Sequence, residues 1–449
     1  MSDMLSIGAS GVRAYQTALA TVGENIANVN ATGYTRRAVT LNEVAGGSGS
    51  TNGYGAGNGV TLTGVNRSTD VYSSTALRAS TSDLTRTTKG AEWLDRIQGA
   101  LTGNALTSRV TAFFASAQSL AAEPDSTALR TGMLSAAGST AMAFTATGKA
   151  FDQVDADIDT AGNQAAQTLT SLAGSLTKVN EGLSRSQPGS TAAAQLMDQR
   201  DNILSQMSEL VDIDAKMDPI GRATVSIGGS SGPAFVQGAM TGTVSYARDD
   251  NGKVSFSVTL RSTTTRITPN GGTLAGLTDG AERVGAIRQE LNAVAGDFVK
   301  AVNDNQKGGK DQTGAPGVAL FAVDPDGKPT DITVDTAFTS GSQIAAGTGG
   351  GSRDASNLGK LEANRISVGY EASLTTLVTG NATAYKQKNT IADAQAAIRD
   401  GAATALSTST GVNLDSEAVD LIRFQQAYAA SSRVIQIARE TMQTILDIR

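Results

Sequence analysis

Read in sevens, the first thirty residues place Leu5, Val12, Leu19 and Ile26 at one heptad position and Gly8, Tyr15, Val22 and Val29 three residues further on. An apolar seam held for almost four heptads predicts a helix that pairs with another along one stripe. The chain ends on the same device: Leu414, Leu421, Tyr428, Ile435 and Met442 are seven apart, with Phe424, Ala438 and Ile445 among the residues three further on. Asn413 is placed to cap this second helix, and Asp415 and Glu417 stand where the positive end of the helix dipole favours carboxylates. At 1.5 Å per residue both helices would run roughly 40 to 50 Å.

The first helix ends in the stretch ENIANVNATGYTRRAV. Its heptads stop at Val29, Asn30 and Gly33 are able to take the left-handed backbone that closes a helix, and after Tyr34 the apolar residues change to period two, with Val39 and Leu41 on one face. Asn25, Asn28 and Asn30 read as helix-end residues, Arg36 and Arg37 as solvated strand residues, and Tyr34 and Tyr428 as packing aromatics. A Gly/Ser-rich loop over 46 to 59 leads to a second short strand, where Val60 and Leu62 alternate with threonine.

Residues 70 to 212 read as helix, broken at Pro124 and at 187 to 190, with Leu196, Ile203, Met207 and Leu210 on one face. From 213 to about 273 apolar and polar residues alternate, and Asp250-Asn251-Gly252 marks a hairpin turn. Helix resumes over 279 to 305, gives way to a polar and mixed stretch reaching about 357, and continues over 369 to 406. The expected fold is mainly α with an inserted β domain: an elongated rod of several domains. Its parts are the coiled-coil helices of the two ends, paired as a terminal domain (1–33 plus 411–449), a long-helix bundle carrying a short β-hairpin region (34–212 plus 274–410), and a small β lobe (213–273).

Composition narrows the function. The 449 residues hold no cysteine and no histidine, which excludes thiol nucleophiles, disulfides, imidazole acid/base chemistry and the common zinc ligand sets. Aromatics make up 4% against 50 glycines, so the cores should be aliphatic and small. The net charge of −6 is spread out, with no basic block for a row of phosphates, so nucleic acid is not an expected partner. No run approaches a membrane span, and the first residues lack a cleavable signal pattern. The Gly-rich GAGNGV and AGTGGGS lack the strand, helix and Lys-Ser/Thr of a phosphate cradle, and Asp324 and Asp326 in VDPDGK lack the remaining ligands of a calcium loop. No catalytic, cofactor or metal site is expected.

The two ends also carry a resemblance. SGVRAYQTALATVGENIANVNATGYTRRAV resembles the N-terminal motif of the rod, hook and hook-associated axial proteins of the bacterial flagellum, with Asn25, Asn28, Asn30, Gly33 and Tyr34 on its marked positions. GVNLDSEAVDLIRFQQAYAASSRVIQIARETMQTIL resembles the matching C-terminal motif. GYTRRAV, GNGVTLTGVNRSTDVYSSTALR, LMDQRDNILSQMSELVDI and AFFASAQSLAAEPDSTALR are similar to the hook-associated protein 1 family within that group, whereas the β lobe and residues 307 to 357 match only loosely.

The resemblance implies a structural protein of the hook-filament junction whose subunits stack in a ring or tube. Its partners would be further copies of itself, hook protein, hook-associated protein 3, a cytosolic export chaperone on the C-terminal helix, and the flagellar export apparatus, which passes it out of the cell without a cleaved signal. On this reading Leu5, Val12, Tyr15, Leu19, Val22, Ile26, Leu414, Leu421, Phe424, Tyr428, Ile435, Met442 and Ile445 form the assembly interface. The ends would be mobile in the free monomer and order in the tube. Another axial protein, of hook or distal rod, is the nearest alternative; an exported adhesin with a helical stalk is a further one.

Overall fold

The computed structural model describes residues 2–31, 33–44, 59–249, 252–325, 327–349 and 351–447. Helix α1 (Ser2–Ala27) leads into an antiparallel pair, β1 (Arg37–Glu43) and β2 (Val60–Arg67). Four helices follow: α2 (Val71–Thr102), α3 (Leu106–Ala122), α4 (Thr127–Arg185) and α5 (Thr191–Leu210). Asp70, Ser126 and Ser190 cap α2, α4 and α5 by accepting from a backbone N–H three residues on. Two of the three breaks fall where expected, at Pro124 and at the 187–190 turn, where Gly189 sits at φ +76°; the third, over 103–105 with Ala105 at φ +50°, lies outside the sequence expectation.

The inserted β region comes next. One sheet orders β3 (Ile213–Met217), β4 (Ala223–Ile227), β5 (Ala234–Gln237) and β6 (Met240–Thr241); the other orders β7 (Thr243–Arg248), β8 (Val254–Leu260) and β9 (Thr263–Ile267). Burial alternates along β4 and β8, so Val225, Ile227, Phe256 and Val258 enter the core. The antiparallel β7–β8 pair has Gly252 at φ +79° in its connection, while Asp250 and Asn251 lie outside the described residues. Helix α6 (Gly272–Lys307), a small sheet of β10 (Phe321–Val323) and β11 (Ile332–Val334), and helices α7 (Ser356–Val368), α8 (Tyr370–Thr410) and α9 (Leu414–Asp447) complete the chain.

The protein is mainly helical with a small inserted β region. It is also drawn out: α4 has 59 residues and so runs about 88 Å. The surface of 22529 Å² compares with roughly 16,000 Å² for a compact chain of this mass. The bundle core closes around an aromatic cluster, Phe113, Phe114, Phe144, Phe298, Phe321 and Tyr370, with Phe298 5.5 Å from both Phe113 and Phe321. Three carboxylates one to two turns apart on α4 then tie the layers together. Asp152, Asp155 and Asp159 receive Arg248 of β7, Arg288 of α6 and Lys328 of the β10–β11 connection.

Several expectations change. The first helix ends at Ala27, two residues before its heptads do, and Gly33 (φ +78°) takes the left-handed backbone whereas Asn30 does not. Leu62 is 37% exposed and Val65 is buried instead, because the register shifts between Thr40 and Leu41 and Thr63 is left over opposite them. Helix α6 starts at Gly272 rather than near 279, and the mixed stretch contains α7 as well as a sheet. Residues 45–58, including most of the Gly-rich loop, and Asp326 and Gly350 of the two weaker motifs lie outside the described residues.

Candidate functional site: the terminal helix pair and its neck

Helices α1 and α9 lie antiparallel: Gly8 faces Ile435, Gly11 faces Ser431, Tyr15 faces Phe424 with ring centroids 6.3 Å apart, and Asn25 reaches Glu417. The approach is close. A Cβ on Gly8 would lie 2.6 Å from Ile435 Cγ1, and one on Gly11 would lie 2.5 Å from Ser431 Oγ, so a larger residue at either would force the facing side chain on α9 to move. The face that α1 buries is accordingly made of small and polar residues, Gly8, Gly11, Ala14, Ala18, Thr21 and Asn25, joined by Val22. Leu5, Val12, Tyr15, Leu19 and Ile26 flank that face and are half-buried.

On α9 only Glu417 and Ala438 are buried. Leu421, Phe424 and Ile435 are half-buried against α1, but Leu414, Tyr428, Met442 and Ile445 stand 50, 36, 48 and 55% exposed and do not enter the seam within the chain. Val419 and Ile422, and Ile437 about four turns further on, are also exposed on the side turned away, at 66, 56 and 57%. The heptad pattern therefore marks more apolar surface than the partner helix covers.

Where this pair joins the bundle, the residues that carried the sequence resemblance converge. Asn25 is fully buried; its amide donates to the Arg37 carbonyl at 2.8 Å and to Glu417 at 2.9 Å, while its oxygen accepts from the Arg37 N–H at 3.0 Å and the Tyr34 hydroxyl at 2.9 Å. Asn28 donates to the Glu24 carbonyl inside the last turn, and Asn30 and Gly33 are exposed. Burial pushes the Tyr34 hydroxyl above its ordinary value, against the pull of Arg37, which keeps it a donor to Asn25.

Arg36 and Arg37 are bound in ion pairs, not simply solvated as two arginines at a strand entry would suggest, with Arg36 half-buried and Arg37 buried. Arg36 binds Glu417 at 2.7 Å and Asp420 at 3.2 Å, both on α9. Arg37 is buried, stacks 4.7 Å over Tyr34, and pairs with Glu24 of α1 at 3.1 Å and Asp198 of α5 at 2.9 Å. Arg67 of β2 shares Asp198 at 2.7 Å and reaches Asp201. The main chain reinforces the junction: Val65 N–H donates to Gly189 at 2.7 Å and Arg36 N–H to Thr410 at 2.9 Å. Sequence reasoning missed this network of Arg36, Arg37, Arg67, Asp198, Asp201, Glu417 and Asp420. Its signal was present as opposite charges set into otherwise apolar strand and helix stretches that shared one resemblance.

The comparisons with known proteins agree with this picture. Residues 91–321, just over half of the chain, match the family model described as flagellar hook-associated protein FlgK helical domain. The chain belongs to this family. Both ends match models of the rod group, residues 5–35 that of the flagella basal body rod protein and 405–448 that of the flagellar basal body rod FlgEFG protein C-terminal region. Flagellar hook-associated protein 1 of Escherichia coli is 25% identical over 77% of this chain and 66% of its own length, and that of Bacillus subtilis 24% identical over 97% and 96%. The Salmonella typhimurium relative is matched over 60% of its length, so the chain covers less than two thirds of it and of the E. coli protein. The flagellar hook junction protein FlgK of Burkholderia pseudomallei has the same fold at TM-score 0.50, with 19% identity over 56% of this chain and 47% of that one. Among the described residues no helix is long and apolar enough to cross a membrane.

Proposed function

We propose that the chain is a passive structural subunit of the bacterial flagellum, placed at the junction between hook and filament. The observation that carries this reading is the state of α9. Of its 34 residues two are buried, and its large apolar side chains outnumber what α1 is able to cover. Large apolar side chains left exposed along one helix suit a subunit packed against copies of itself in a ring or tube. Leu5, Val12, Tyr15, Leu19, Val22 and Ile26 with Leu421, Phe424 and Ile435 form the intrachain half of the proposed assembly surface, and Leu414, Tyr428, Met442 and Ile445 the open half.

In that assembly the terminal pair (1–33 plus 411–449) lines the channel, the bundle (34–212 plus 274–410) forms the wall, and the β lobe (213–273) faces outward. Hook protein lies on one side and hook-associated protein 3 on the other. The protein reaches this extracellular position through the flagellar export apparatus without a cleaved signal, and a cytosolic chaperone covers α9 beforehand. Membership of the FlgK family and the names of its relatives support the junction over hook or distal rod. Cells lacking the protein are expected to build hooks and release filament subunits into the medium; normal filament retention in such cells would defeat the reading, and capture of hook protein without hook-associated protein 3 would favour the hook or rod alternative.

A further inference from the structure

Helix α6 sits in the groove between α2 and α8. Asp279 joins Arg86 of α2 at 2.9 Å to Lys388 of α8 at 3.1 Å, and Gly280 lies against Trp93. A cleft of about 810 Å³ stays open beside α6, with Gly90, Leu94, Ala286, Gly380 and Ala384 in its lining. The seat is longer than its occupant. At Gly271 and Gly272, packed on Ser82 and on Leu210 and Val211, α6 gives way to the lobe. Helices α2 and α8 run on together to the neck, where Asp70 meets Ser409.

Five turns take about 18 residues, so Tyr72 stands on the line of Gly90 along α2, and Ile398 on the line of Gly380 along α8. Tyr72, Ala76, Ala79 and Asp83 follow one another at helical spacing and are all exposed, Tyr72 by 86%; Ile391 and Ile398 are exposed by 43 and 64%. Among the described residues of α8 beyond Asn381, only Ala392 and Thr410 are buried. Apolar residues scattered singly over a surface are ordinary. These instead prolong the seat of a helix by about 16 Å, room for three turns of another one packed ridge into groove. The groove runs along the rod and opens sideways, and in a tube the sides of a subunit meet further copies while its ends meet other proteins. Its lower end reaches the neck, where Leu414 begins the exposed apolar side chains of α9. We propose, on the reading of the chain as a junction subunit, that the open α2–α8 groove receives a helix from the bundle of a second copy. This is a lateral contact of the wall, separate from the contacts of α9.

Photo-cross-linking of the full chain identifies the occupant. With p-benzoylphenylalanine in place of Tyr72, irradiation of intact flagella is expected to join the chain to a second copy, and irradiation of the dilute purified chain is not. Ala79→Glu with Ile398→Glu, both at exposed positions, is expected to keep the melting temperature of the purified protein and to lose filaments from intact hooks. An adduct with any protein other than a copy would overturn the proposal, as would flagella that keep their filaments and give no adduct. Filaments held by the groove variant but lost by Ile422→Glu with Ile437→Glu on α9 would overturn the groove contact alone. Filaments held by both variants would overturn the junction reading with it.

Discussion

Arg36 and Arg37 are neighbours in the chain yet serve different parts of the molecule, because consecutive residues of an extended strand point to opposite sides. Arg36 holds the C-terminal helix and Arg37 ties α1 to the bundle, so two adjacent side chains both contribute to the junction between the terminal pair and the rod. Breaking a buried pair by removing one partner leaves the other charge uncompensated, and Arg37→Leu is expected to cost about 3–5 kcal/mol by urea unfolding. Loss of the exposed Arg185–Glu181 pair by Arg185→Ala should change stability by less than about 1 kcal/mol, and equal effects of the two would refute the assignment. A second residue-scale expectation concerns acid. Burial works against the ionised Asp279, but hydrogen bonds from Arg86 and Lys388 prevail and hold its carboxyl below the ordinary 3.8. Its contribution is therefore fully present above that value and lost as pH falls through the depressed one. Asp279→Asn should flatten the acid limb of the stability curve; an unchanged limb would contradict the linkage.

At the scale of elements, the α1–α9 pair is set by what it lacks. Gly8→Leu should force the helices apart and cost about 1–3 kcal/mol, with faster exchange confined to α1 and α9, whereas the same change at Gly23, which has open space around it, should leave their packing unaltered. The helices themselves were legible from heptads, and the β lobe from its period of two, since both patterns reflect burial of one face. What stayed hidden was set by contacts between distant segments. The start of α6 is rich in glycine and reads as loop, but Gly276 is where α6 meets α2: a Cβ there would lie 2.6 Å from Lys89 Cβ. Helix α7 is 13 residues long with Leu358 and Leu361 its buried apolar residues, too short a repeat to stand out. The neck was illegible for the same reason. Nothing local says that Arg37 meets an aspartate 161 positions away, and charge normally signals a solvated face.

The whole molecule is a chain that goes out along a rod and returns. Its ends come together at a polar neck, its middle forms a β lobe on the long α4, and its last helix is left with exposed apolar side chains. The core lies in the bundle and lobe, while α9 leaves many large apolar side chains exposed; in the proposed function these are the side chains that bind other copies, so stability and assembly would be separated. Charges placed on the outer side of α9, as Ile422→Glu with Ile437→Glu, should leave the fold intact because exposed substitutions change stability by no more than about 0.5 kcal/mol each. The most direct measurement of the central claim is therefore filament retention by cells producing that double variant, alongside the melting temperature of the purified protein. An unchanged melting temperature with filaments lost from intact hooks is the predicted result; filaments held and swimming as in the parent would contradict it.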